Sequence, residues 1–99
     1  MASRSSAVRD RRIAELGAHV SAWRKASRIT ADLLAQRAGI TRDTLRAIET
    51  GSGSVKVENL FAVLEALGLD AAVVRATDPT GDDRGRALLE RGLPTRVRS

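Results

Sequence analysis

Cysteine is absent from this chain of 99 residues. That excludes disulfides and thiolate metal sites, and it fits a reducing cytoplasm. Histidine occurs once, as His19, and a single histidine builds neither a metal site nor a triad. No serine sits in a nucleophile motif, so His19 reads as a surface or boundary residue. Nucleophile–base pairs, Gly-rich phosphate loops and metal-ligand clusters are all missing, so neither an enzyme nor a cofactor is expected. Only Trp23 and Phe61 are aromatic, which argues against stacking on unpaired bases as the main mode of binding. No apolar run approaches the roughly 18 residues of a membrane span. The first residues, MASRSSAVRDRR, lack an apolar signal core, so neither membrane insertion nor secretion is expected and a cytoplasmic protein is.

What is present is positive charge, unevenly spread. The chain has 17 basic and 12 acidic residues, a net of +5. Residues 1–56 hold 11 basic and 5 acidic side chains, a net of +6, and residues 57–99 hold 6 and 7, a net of −1. Such asymmetry predicts a polyanionic partner for the first half and a different one for the second; a merely solvated charged face is the alternative. Arginine outnumbers lysine 15 to 2, which reads as the codon usage of a GC-rich genome.

The most informative stretch is ITADLLAQRAGITRDTLRAIETG, from Ile29 to Gly51. Thr30 can cap a short helix with Asp32 in its first turn, where a carboxylate suits the helix dipole. Leu34, Ala35 and Ala38 share a face, and Gly39 ends the helix. After the apolar anchor Ile40, Thr41 can cap a second helix in which Leu45 and Ile48 face inward. Gly51 closes it. Two short helices around a glycine turn form the helix-turn-helix pattern, although a plain helical hairpin shares it. The outward face of the second helix carries Arg42, Asp43, Thr44, Arg46 and Ala47.

Around this stretch the chain reads as helices throughout. Residues 1–7 are small and polar and are expected to be a disordered arm. Arg4, Arg9, Arg11 and Arg12 make either a solubilising tail or an arm that reaches DNA. A first helix over residues 8–26 has Ile13, Leu16, Val20 and Trp23 as its predicted buried stripe, and Gly17 predicts close approach of another helix. A loop, Ser52-Gly53-Ser54, leads to Lys56 and a fourth helix over residues 57–67, with Leu60, Val63, Leu64 and Leu67 inward and Gly68 as stop. A fifth helix over residues 69–76 has Asp70 as cap and Val73 inward. Asp78-Pro79-Thr80-Gly81 is a turn signal. A weaker helix over residues 82–91, ended by Leu93-Pro94, and a basic tip complete the chain. The expected organisation is an arm at 1–7, a domain at 8–77 and an extension at 78–99.

This order of elements resembles the Cro/repressor type of helix-turn-helix protein, the XRE family. The matching residues are Leu16-Gly17, Val20, Arg24, Ile29-Thr30, Leu34-Ala35, Gly39-Ile40-Thr41, Ile48-Glu49, Gly51 and Leu60…Ala66-Leu67-Gly68. The resemblance covers about residues 13–70. It implies an all-α fold: a five-helix, lambda-repressor-like domain with a C-terminal extension. It also implies an ion pair between Arg24 and Glu49 that sets the recognition helix against the first helix. Two departures stand out. The family's usual glutamine after the helix-two cap, which touches phosphate and braces the recognition helix, is Ala31 here. Its frequent glycine is Arg28, a position where another residue is strained. The segment DPTGDDRGRALLERGLPTRVR is similar to the C-terminal extensions of HipB-like antitoxins, which pair with a kinase toxin and repress their own operon.

The expected activity is therefore that of a homodimeric, sequence-specific binder of double-stranded DNA, a transcriptional regulator and most simply a repressor. The start of helix 41–50 would enter the major groove. Arg42 suits guanine O6 and N7, Asp43 can accept from cytosine N4, Thr44 can reach a base edge or thymine methyl, and Ala47 fits a thymine methyl. Thr30, Arg46 and Lys56 would hold phosphates. Thr30 and Thr41 are caps in any case, and Arg46 is also placed to pair with Asp43 at i, i+3. The apolar segment from Leu69 to Leu89 is the expected dimer surface. The competing reading is an antitoxin whose C-terminal part binds a partner toxin and which autorepresses.

Overall fold

The computed structural model describes residues 5–92, and every regular element among them is helical. Arg4, Leu93-Pro94 and the basic tip at 95–99 lie outside the described residues. The helices are α1 (Ser5–Ala26), α2 (Ala31–Ala38), α3 (Arg42–Thr50), α4 (Val57–Ala66), α5 (Asp70–Ala76) and α6 (Asp83–Glu90), with a 3₁₀ turn at Pro79–Gly81 before α6. Two compact units divide between Leu69 and Asp70. α5 thus groups with the segment that follows it, whereas the reading of the sequence drew the division at 77/78.

The first unit holds the core: Val20, Leu34, Ala35, Leu45, Ile48, Val63 and Leu64 are all buried. α1 packs on α3, and α2 packs on both α3 and α4. The starts of α2 and α3 are built alike. Thr30 accepts a hydrogen bond from the Leu33 N–H at 3.1 Å, and Thr41 accepts one from the Thr44 N–H at 3.0 Å. Each hydroxyl satisfies an amide that has no partner within its helix. The two helices also end alike, with a left-handed residue and the paired backbone bonds of a Schellman turn: Gly39 to Gln36 and Ile40 to Ala35, then Gly51 to Ile48 and Ser52 to Ala47.

α1 departs from its predicted stripe. The buried line runs through Gly17 and Val20, with Ile13 and Arg24 half-buried at the same spacing, while Leu16 is 36% and Trp23 51% exposed. Each of those two lies one residue, about 100° of helix, off the line. The cause is Gly17. A Cβ built there would lie 2.3 Å from the Ile48 carbonyl oxygen and 2.9 Å from that of Glu49. With no side chain at 17, the α3 backbone rests directly on α1, and the contact centres there. The start of α1 differs as well. Ser5 to Ala7 are helical, where a disordered arm is expected, and Arg9 and Arg12 are spokes of a helix, donating to Ser6 and Glu15.

α1 ends in the same kind of turn, with Arg28 N–H bonded to the Lys25 carbonyl and Ile29 N–H to that of Arg24. Arg28 occupies the left-handed position at φ 60°, the one non-glycine residue with positive φ among the described residues.

The second unit is small. Its 3₁₀ turn is capped by Asp78, which accepts from the Thr80 amide and hydroxyl, and the two bonds hold its carboxyl below the usual carboxylate range. Asp82 caps α6 by accepting from the Gly85 N–H. Asp70 is the first residue of α5 and Val73 is half-buried. Among the described residues of this unit Val74, Leu88 and Leu89 are exposed, and Gly85 is the one buried residue.

Two substitutions test this account by urea denaturation. Gly17→Ala must push backbone apart and is expected to lose about 1–3 kcal/mol or more. Arg28→Gly relieves left-handed strain of roughly 1–2 kcal/mol, less the entropy that glycine adds to the unfolded chain, so a small gain in stability is expected.

Candidate nucleic-acid interface

α3 is held to the end of α1 by a guanidinium whose three nitrogens each donate a hydrogen bond. Arg24 Nε donates to Glu49 Oε2 at 2.7 Å and Nη2 donates to Oε1 at 3.1 Å, while Nη1 donates to the Ile29 carbonyl at 3.2 Å. The side chains are only 14% and 13% exposed. The carboxylate bond raises the Arg24 pKa above its ordinary value against the opposing effect of burial. This pair joins the end of α1 to the end of α3 and also ties down the link into α2. A planar, bidentate pair of this kind fixes angle as well as distance.

The face of α3 turned away from the core is open. Leu45 and Ile48 are spent on the core, so Arg42, Asp43 and Arg46 project outward and are exposed, with Thr44 and Ala47 half-buried between them. The Thr41 hydroxyl donates to Thr44 Oγ1 at 3.0 Å while accepting the Thr44 amide. Thr41 is therefore occupied as a cap, with its hydroxyl paired to that of Thr44. Thr30 is likewise engaged as the cap of α2. Arg42 Nη1 donates to Asp32 Oδ1 at 2.6 Å across the gap between α3 and α2. Arg46 and Asp43 do not pair with each other, and neither joins a salt bridge among the described residues.

Two shallow depressions flank this face. One, of about 320 Å³, is lined by Asp43, Thr44, Ala47, Ser54, Val55, Lys56 and Asn59. It brings Lys56, at the N-cap position of α4 with no capping bond of its own, to the same hollow as Thr44 and Ala47. Ser54 and Asn59 join it without having been singled out from the sequence. Asn59 is three residues beyond Lys56 on the same turn, which is a usable signal once Lys56 is suspected. The other depression, of about 190 Å³, is lined by Ala31, Arg42, Leu45, Arg46 and Thr50 together with the Arg24–Glu49 pair. It opens where Ala31 has no side chain long enough to fill the space between α2 and α3.

The face is thus a rigid helix with exposed cations, the Thr44 hydroxyl and a small apolar step at Ala47, flanked by a lysine from the next helix. Cations at the rim suit phosphates and short side chains at the centre suit base edges. No helix among the described residues is long and apolar enough to cross a membrane, and no cluster of His, Asp or Glu among them could hold a metal ion.

A family model described as helix-turn-helix matches residues 20–74, more than half of the chain. Neither the curated proteins nor the solved structures contain a match.

The Arg24–Glu49 pair makes a direct prediction. Glu49→Ala leaves a largely buried guanidinium without its carboxylate, and a loss of about 3–5 kcal/mol is expected. Replacing both partners with apolar residues of similar size should recover much of it. A thermal melt of Glu49→Ala that matches the parent would show that the pair does not hold α3 in place.

Proposed function

Because the chain belongs to the helix-turn-helix family of the Cro/repressor type, a family of DNA-binding transcription regulators, we propose that it is a dimeric repressor that reads the major groove with α3. The observation that carries this reading is the outward face of α3. Its other face is locked by the core and by the Arg24–Glu49 pair, so its orientation is set before DNA arrives. Preorganisation of that kind lowers the ordering cost of binding.

Arg42 is assigned to guanine O6 and N7, and Thr44 to a neighbouring base edge through its hydroxyl. Ala47 meets a thymine methyl. Asp43 accepts from cytosine N4 or, by repelling phosphate, excludes other registers. Arg46, Lys56 and the start of α2 at Thr30 face the sugar–phosphate backbone and supply affinity and register. A single recognition helix covers one half-site, so the working form is a homodimer on two half-sites about one helical turn apart. The cytoplasm is the compartment in which such a regulator meets DNA.

A second reading has its own observation. Val74, Leu88 and Leu89 are exposed on a unit in which no apolar side chain among the described residues is buried, as expected of a segment that binds another protein. On this reading the protein is an antitoxin that autorepresses and holds a toxin through its C-terminal part.

Selection of bound sites from a random duplex pool tests the first reading. The parent should enrich a palindrome. Arg42→Ala should lose preference at one position per half-site, at a cost of about 1–3 kcal/mol. Lys56→Ala should weaken all sequences alike and reduce the salt slope by about one. Binding without any enriched sequence would refute sequence-specific repression by the protein alone and favour the partner-dependent reading.

A further inference from the structure

Asp32 is an exposed acid on a face assigned to DNA, where its charge opposes binding. Its carboxylate nevertheless reaches from the first turn of α2 to Arg42 on α3, with Oδ1 2.6 Å from Nη1. The pair is exposed on both sides, 57% for Arg42 and 77% for Asp32, and an ion pair so open to water adds little to stability. The first-turn position of Asp32 is enough to explain an acid at 32, since it complements the helix dipole. It does not explain why the long Arg42 side chain lies back across the gap beside Ala31.

We propose that Asp32 is a specificity-determining residue that positions Arg42 for the base it reads. The inference rests on the reading in which Arg42 contacts a base. A guanidinium has two edges that can form paired hydrogen bonds, and they share Nη2. Asp32 occupies Nη1 alone. The edge formed by Nε and Nη2 has no partner among the described residues, and it is the edge that can pair with O6 and N7 of guanine. Arg24 provides the contrast within the same unit: its three nitrogens are all spent on Glu49 and Ile29. One arginine is saturated and holds the fold, and the other is tethered by one nitrogen with a fork to spare. The depression at Ala31 supplies the reason that the tether comes from Asp32. No side chain at 31 spans from α2 to α3, and the residue after it does. Held by Asp32, Arg42 gives up fewer rotamers on meeting its base, so the ordering cost that blunts discrimination is reduced.

The test is site selection and competition binding with the full chain as parent, Asp32→Ala, Asp32→Glu, Arg42→Ala and the double variant, with thermal melts as controls. Asp32→Ala is expected to reduce discrimination at the position lost in Arg42→Ala by about threefold to tenfold, leave other positions intact and melt near the parent. Asp32→Glu should restore part of it, and the double variant should be no less discriminating there than Arg42→Ala. If Asp32→Ala instead tightens binding to all sequences equally and keeps the preference, Asp32 acts only as a repelling charge and the proposal fails. If Arg42→Ala changes no position, the base-reading role of Arg42 fails first and the proposal falls with it.

Discussion

A bidentate ion pair between the end of α1 and the end of α3 is the constraint on which the rest of this structure depends. Arg24 uses Nε and Nη2 on the Glu49 carboxylate and Nη1 on the Ile29 carbonyl. The one guanidinium therefore fixes the direction of the recognition helix and the path of the chain into α2. Beside it, the backbone of α3 rests on Gly17 without an intervening side chain. The two features act differently. The glycine sets how closely α3 approaches, and the ion pair sets its rotation, because a planar fork is satisfied over a narrow range of angles. Together they allow a helix of nine residues, too short to be stable alone in water, to present a fixed outer face.

That face separates two uses of arginine. Arg24 is largely buried, and each of its three nitrogens has found an acceptor. Arg42 is exposed and tied to Asp32 by one nitrogen. Burial decides which of them can spare donors for another molecule. The same logic applies to threonine. The Thr30 and Thr41 hydroxyls cap helices, while the Thr44 hydroxyl caps nothing and touches only that of Thr41. Positions that look equivalent in a list of polar residues are thus divided into those that hold the helices in place and those left open to another molecule.

The C-terminal unit obeys a different balance. Its turns are well made, with Asp78 and Asp82 each capping the element that follows, but local capping does not bury apolar surface. Val74, Leu88 and Leu89 remain exposed. Local hydrogen bonds of this kind are individually worth only about 1 kcal/mol.

Much of this was legible in the chain itself. Helix type followed from the spacing of Leu34, Ala35, Leu45, Ile48, Val63 and Leu64, all buried as that spacing requires. The caps at Thr30 and Thr41 and the stops at Gly39 and Gly51 are local chemistry, governed by residues within five positions of each other. The positive φ of Arg28 followed from the family pattern. What escaped were particular contacts between helices, although the close approach at Gly17 and the Arg24–Glu49 pair were expected. The stripe of α1 was misjudged because hydrophobicity was counted at Leu16 and Trp23, while the line of closest approach is set by a glycine, which carries no hydrophobic signal. The Asp32–Arg42 bridge was missed because ten residues and a turn separate its ends, and each end has a sufficient local explanation. The sequence by itself determined which segments are helices and how α2 and α3 start and stop, because these depend on neighbours along the chain. Tertiary structure alone decided which arginine is saturated and which keeps a free fork, because hydrogen-bond partners are assigned by packing across space.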